Sequence, residues 1–395
     1  MNDFQIQYPS ASSSRYSNFT QLTLICLTYE RHDFVRRQIA YFSASNVSLI
    51  FADGSSSALF DSELKKVKYG SCSVSYFNIP GASTYLKRIQ QSLSLTETDY
   101  VMFIDDADLY FLSGIELALN SFLLNPNSLF AAGYVCQASK LASGCLKYFD
   151  WGHWSKPFAL LNQDPAKRLV ELITNMRTGN MFYGVMPKTM LLKSVQLSSQ
   201  IYWSCNAGNE LMHAGLLAIS NSYEMGHYPF WTRTDEPSIP AKKYSSLSAS
   251  EWHSSLSLDR LYLINCLVVE LILQSKCSVF EAFTQVVNFM DIHHKQSMSP
   301  YRLNVKQFLV EILPFLPALK HYLLKFFKWF HVFSFFGAYP VIPIDNLSFP
   351  SLLEYWTSRF PNLDEFQLDD IKRYDLLMRE FPAGMNSCDF DTFFK

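Results

Sequence analysis

Charge of one sign is missing from this sequence: 33 Lys and Arg stand against 35 Asp and Glu, a net charge of -2 over 395 residues. So small an excess supplies no global field for nucleic acid or another polyanion. Paired cysteines are missing too. The eight cysteines (Cys26, Cys72, Cys136, Cys145, Cys205, Cys266, Cys277 and Cys388) include no C-x-x-C spacing, which predicts free, mostly buried thiols in a reducing compartment. Residues 1–20 are rich in Ser, Asn and Gln and have neither a basic n-region nor an apolar h-region, so a disordered start without a secretory signal is expected. That places the protein in the cytoplasm. A Gly-rich phosphate loop with a basic residue is absent near residues 26–37, which weighs against a nucleotidyltransferase.

What is present is apolar bulk. Hydrophobic residues make up 49% and aromatics 16%, with 33 Phe. The length suggests two domains, or one large domain with an appendage.

Leu22 to Thr28 reads as a buried strand, followed by the polar turn Tyr29-Glu30-Arg31-His32 and a helix from Asp33 to about Ser43. A second strand, Val47 to Ala52, ends in Asp53-Gly54-Ser55. Strand, helix, strand with short connections predicts a parallel pair with a right-handed crossover, whose ligands gather at the strands' C-terminal ends. A short helix is expected over Asp61–Lys68, a strand over Cys72–Asn78, and a helix over Tyr85–Leu93 that carries Lys87 and Arg88.

The run Tyr100-Val101-Met102-Phe103-Ile104 then ends in Asp105, Asp106 and Asp108. Three acids within four residues repel one another unless a cation neutralises them, and hard oxygen ligands suit Mg²⁺ or Mn²⁺. The plainer reading makes Asp105 a helix cap and leaves the other two as solvated loop acids. Tyr29 to Arg31, Asp53 and Asp105 to Asp108 all reach one edge of the same sheet, and that convergence favours a site.

Residues 22 to about 235 resemble the GT-A fold of nucleotide-sugar glycosyltransferases, especially the bacterial family 2 type of capsule and O-antigen synthesis. The resemblance rests on Thr28-Tyr29-Glu30-Arg31 after the first strand, on Asp53 after the second, and on Asp106-Ala107-Asp108 as the D-x-D motif. It implies a mostly parallel, Rossmann-like α/β sheet flanked by helices. It also implies a nucleotide-sugar donor held by Tyr29, Glu30, Arg31, Asp53, Lys87, Arg88, Asp105 and Asp106, with Mn²⁺ or Mg²⁺ on Asp106 and Asp108. Gly208-Asn209-Glu210 falls where the family carries its general base, which makes Glu210 the catalytic carboxylate and implies inverting transfer to a carbohydrate or lipid-linked acceptor. A carboxylate near a helix start is also a favourable dipole partner, a plainer role for Glu210. The family pattern is broken at Ala107 and Asn209, which keeps a non-catalytic interaction protein with a decayed domain as the alternative, beside a sugar nucleotidyltransferase.

Gly179 to Met186 reads as a strand and Tyr223 to Asp235 as the last strand and loop of a domain spanning 21–245, with His227, Arg233 and Asp235 as polar candidates. The Trp151-Gly152-His153-Trp154 group suits a sugar face or an aromatic loop core. A helical region, 246–395, follows. Within it, residues 315–336 place Leu316, Leu319, Leu323, Phe326, Phe327, Phe330 and Phe333 on one side and His321, Lys325 and Lys328 on another. That pattern fits a helix lying on an anionic membrane or, equally, a core helix. With Lys320, Lys325 and Lys328 interrupting it, the segment is no transmembrane span.

Overall fold

A computed structural model describes residues 17–60, 64–81, 85–124, 131–140, 146–150, 158–175, 183–220, 223–234, 247, 249–255, 257–297 and 352–380. The order begins with a 3-10 turn (Ser17–Gln21), β1 (Leu22–Thr28), α1 (His32–Phe42), β2 (Ser48–Asp53), β3 (Leu64–Tyr69), β4 (Cys72–Asn78) and α2 (Tyr85–Leu95). It continues with β5 (Tyr100–Asp105), β6 (Leu109–Tyr110), α3 (Leu112–Leu124), β7 (Ala131–Lys140), β8 (Leu146–Asp150), β9 (Ala159–Leu160) and α4 (Pro165–Thr174). Next come β10 (Met186–Pro187), α5 (Lys188–Ser198), α6 (Asn206–Ser220) and β11 (Tyr223–Thr234). The remaining helices are α7 (Ala249–Ser254), α8 (Leu258–Ser275), α9 (Val279–Ser297), α10 (Leu352–Arg359) and α11 (Glu365–Glu380).

One sheet runs β10-β5-β1-β2-β4-β3, and its central strands are parallel. β1, β2 and β5 are buried almost along their whole length, which is why they read as unbroken apolar runs rather than as alternating patterns. This is the α/β architecture the sequence predicts. Their register sets Thr28 beside Asp53, and Leu27 beside Asp105, so the strands end level and deliver their last residues to a common edge. A second sheet runs β6-β11-β7-β8, with β9 also paired to β11.

Three expectations change. The helix over Asp61–Lys68 is instead β3, an edge strand antiparallel to β4. Its three lysines suit a sheet edge, where charge discourages further pairing, and the left-handed backbone at Lys66 (φ 55°) accompanies the register shift between Leu64 and Val67. Of the strand expected over 179–186, residues 179–182 lie outside the described set, and among the described residues the strand is Met186–Pro187, antiparallel to β5. The disordered start expected over residues 1–20 does not hold at its end, where Ser17–Gln21 forms a turn and Phe19 is fully buried.

The larger of two apolar clusters among the described residues, the smaller being Ile50, Ala52 and Phe77, runs from Phe19 to Ile371. Through it α8 and α9 pack against α4 and α6, while α10 touches β8 and α11 lies on α3 and α1. Asp370 on α11 fastens that last contact: it accepts from Tyr41 Oη at 2.8 Å on α1, and from Ser113 N and Oγ, both at 3.0 Å, on α3. Arg373 adds a bond to the Tyr41 carbonyl at 2.6 Å. The six described cysteines are free, and all but Cys277 are buried. No described helix is long and apolar enough to cross a membrane. Residues 315–336 and the Trp151–Trp154 group lie outside the described residues.

Candidate active site

The site begins with the turn after β1. Glu30 adopts the left-handed region (φ 55°), and its backbone N–H donates to Ser55 Oγ at 2.6 Å. Its carboxylate accepts from Ser56 N and Oγ at 2.8 and 2.7 Å, bonds that hold its pKa below the usual range. The turns after β1 and β2 are thereby tied together. Asp53, wholly buried, accepts from Ser55 N at 2.8 Å, Ser55 Oγ at 2.5 Å and Tyr76 Oη at 2.7 Å, with His32 Nε2 at 3.2 Å. Tyr29 is half-buried beside this corner.

Behind the corner, Arg88 is buried and donates from Nη1 to the Gly81 carbonyl at 2.8 Å. A Cβ on residue 54 would lie 2.0 Å from that nitrogen, so Gly54 is required by the guanidinium packed against it. Lys87, on the other side of α2, is exposed.

The acidic turn is held from α1. Gln38, fully buried, aims Nε2 at the carbonyls of Asp105 (3.2 Å), Asp106 (3.1 Å) and Asp108 (2.5 Å). The fourth carbonyl, that of Ala107, accepts from Arg37 Nη2 at 2.5 Å and from Thr234 Oγ1 at 2.9 Å. With every carbonyl of the turn occupied, the carboxylates are fixed by what remains. Asp106 accepts from Thr28 Oγ1 at 2.7 Å and Arg31 Nη1 at 2.8 Å. Asp108 accepts from Trp231 Nε1 and Thr234 N, both at 2.8 Å. Asp105 accepts from Ala107 N at 2.9 Å, and its side chain is 40% exposed, whereas those of Asp106 and Arg31 are 6% and 12% exposed.

Burial, and next the charge of Asp105, push the Asp106 and Asp108 carboxyls up. Arg31 opposes the shift at Asp106, as the Thr234 N–H does at Asp108. Burial pulls the Arg31 guanidinium down, but the acids around it, Asp106 foremost, more than reverse this.

Glu210 is the fifth residue of α6 and is open to solvent. The surrounding protein nevertheless pushes its carboxyl up, against the pull of Arg233. The same carboxylate raises the phenols of Tyr85 and Tyr183, after burial in both and after Asp105 in Tyr183, so the base candidate and the acidic turn share one neighbourhood. Arg233 also acts on Asp108. Its backbone comes from β11, two residues after Trp231, whose ring stacks on Tyr110 at 5.4 Å.

Of the residues singled out in the sequence, the structure groups Arg31, Asp105, Asp106 and Asp108, links Glu210 to that group through Tyr183 and Arg233, and sets Tyr29, Glu30 and Asp53 in the adjoining corner. Arg88 supports that corner from behind, and Lys87 stands apart from it. The His227 side chain and Asp235 lie outside what the structure describes. Sequence reasoning passed over Arg37, Gln38, Thr234 and Trp231, and left Arg233 without a role. Nothing in an amphipathic helix pattern separates inward polar residues such as Gln38 from solvated ones. Among the described residues, no group of three or more His, Cys, Asp or Glu side chains is arranged to hold a metal ion.

No family profile and no curated protein matches the chain. Solved structures do. A structure of S. aureus TarS aligns at 11% identity over 69% of this chain, with a TM-score of 0.42, and this chain spans only 43% of that one. TarS 1–349 aligns at 12% identity over 93% of both chains, with TM-scores of 0.40 and, in its complex with UDP-GlcNAc, 0.43.

Proposed function

We propose that this chain is a glycosyltransferase that moves a sugar from a nucleotide-diphosphate donor to a carbohydrate hydroxyl with inversion. The observation that carries the reading is the gathering, at the C-terminal edge of a parallel sheet, of Arg31 on the acids of the β5 turn with Arg233, which acts both on Asp108 of that turn and on Glu210. Nucleotide recognition falls to the corner of Tyr29, Glu30 and Asp53, which the bonds among Glu30, Ser55, Ser56 and Tyr76 hold ready. The guanidiniums then meet the diphosphate, where negative charge grows as the bond to the sugar breaks.

Glu210 takes the proton from the attacking hydroxyl. A carboxyl pushed upward by its surroundings is a stronger base once ionised, and Arg233 favours the ionised form. Displacement from the face opposite the leaving diphosphate inverts the sugar centre. The acceptor is a carbohydrate, free or lipid-linked.

The deciding experiment incubates the full chain with a panel of nucleotide-sugars and follows release of the nucleoside diphosphate, with and without added oligosaccharides. At least one donor should release its diphosphate, faster when an acceptor is present. Failure of every donor either to bind or to be hydrolysed would leave an interaction protein as the better reading.

A further inference from the structure

We infer that the acidic turn is not a two-carboxylate clamp for a divalent cation, and that Arg31, seated on Asp106, brings the positive charge which the donor's diphosphate meets. This rests on the transferase reading and specifies how such a site would work. Mg²⁺ and Mn²⁺ need carboxylate oxygens that are turned toward open space and unencumbered by stronger partners. Asp106 and Asp108, the pair in the D-x-D positions, are 4% and 5% exposed, and each uses both oxygens on protein donors at 2.7–2.8 Å. Their remaining lone pairs face protein. Asp105 alone among the three is open, and one carboxylate with one oxygen already bonded to Ala107 N makes a poor site for an ion that binds through several ligands.

Charge balance points the same way. Two of the turn's carboxylates are opposed by guanidiniums, Asp106 by Arg31 and Asp108 by Arg233, while a third guanidinium, that of Arg37, holds the Ala107 carbonyl. Repulsion among the acids, the original reason for expecting a cation, is therefore opposed in part from within the chain. Arg31 is also pre-positioned: its Cζ lies 5.3 Å from the centre of the Phe34 ring while Nη1 holds Asp106. A planar guanidinium fork matches diphosphate oxygens as well as it matches a carboxylate, which suits Arg31 to meet the donor beside Asp106.

The test is titration calorimetry of the full chain with nucleoside diphosphates, in EDTA and again in Mn²⁺. Affinity in EDTA should lie within about threefold of that in Mn²⁺, a difference too small for a required ligand. Arg31→Met should weaken binding by about 10–100-fold, the scale of one charge-assisted hydrogen bond, and Arg31→Lys should recover part of it. Because Arg31→Met strands Asp106 in the interior, the double variant Arg31→Met with Asp106→Asn is the control. It removes both charges, should melt near the wild type, and should bind as weakly as the single variant. Binding that disappears in EDTA, with the same loss in Asp106→Asn and Asp108→Asn, overturns the inference, as does wild-type affinity in Arg31→Met. A wild-type chain that binds no nucleoside diphosphate in either buffer brings down the transferase reading itself.

Discussion

Two clusters of titratable groups lie inside this protein, and they survive burial by opposite means. At the sheet edge, Asp106 and Asp108 keep company with Arg31, Arg233, a backbone N–H and an indole N–H. Under the outer helices, His253 of α7 meets His293 of α9, Nε2 to Nδ1 at 2.5 Å, with the His294 ring 5.1 Å away. Among the described residues, no carboxylate acts on His253 or His293. Burial first, then the neighbouring histidines and, for His253, Arg260, push the pKa of His253 down to about 3 and that of His293 to about 4. Burial favours the neutral form in both, but the first cluster sets guanidiniums and N–H donors against that shift, whereas in the second the neighbouring histidines add to it. Function belongs with the first, since a charged ligand needs charged partners held ready before it arrives.

The sharpest way to probe that contrast is Glu210→Gln, which should lower sugar transfer by about 10²–10⁴-fold while leaving nucleotide affinity unchanged. Steady-state rates and calorimetry measured on the same preparation separate the two effects. Next in size, Trp231→Phe removes the N–H that Asp108 accepts while preserving an aromatic ring, and should cost about 1–3 kcal/mol of stability through a buried acceptor left unmet. Urea denaturation measures it, and an unchanged midpoint would mean that Asp108 finds another donor.

The histidine cluster predicts a pH effect of known sign. Its folded pKa values lie below the ordinary 6.5, so the unfolded chain takes up protons first as pH falls. Its contribution to stability is therefore complete above about pH 6.5 and declines as pH drops toward 4, with a limiting slope of about 1.4 kcal/mol per pH unit per histidine. Urea midpoints at a series of pH values should show this slope, and His293→Gln should flatten it. Smallest of all, Arg36→Ala breaks an exposed pair with Asp33 at 3.0 Å and should change stability by less than about 0.5 kcal/mol. A larger loss would show that surface charge on α1 reaches the buried turn.

Legibility in the sequence follows the kind of interaction. β1, β2 and β5 declare themselves because strands buried on both faces are uniformly apolar, and their acidic ends are conspicuous because charge seldom follows such runs. β3 misled because Leu64-Lys65-Lys66-Val67-Lys68-Tyr69 alternates poorly, and its strand state comes from pairing with β4 rather than from local preference. Within the site, acids are visible but their partners are not. Gln38 and Trp231 lie 67 residues or more from the groups they serve, and a hydrogen bond of that span leaves no periodic trace.

Asp370 carries a consequence in time. Its bonds to Ser113 and Tyr41 join residues 257 and 329 positions apart. Tyr41 belongs to the helix whose Arg37 and Gln38 shape the acidic turn, so that helix is braced by a residue made 329 positions later. At about 5–20 residues per second, a ribosome needs roughly 15–65 s to pass from Tyr41 to Asp370. The strands of the first sheet can pair in that interval, but the helix that grips their acidic edge waits for its brace. A nascent chain is therefore without a finished site until its last described helix has docked.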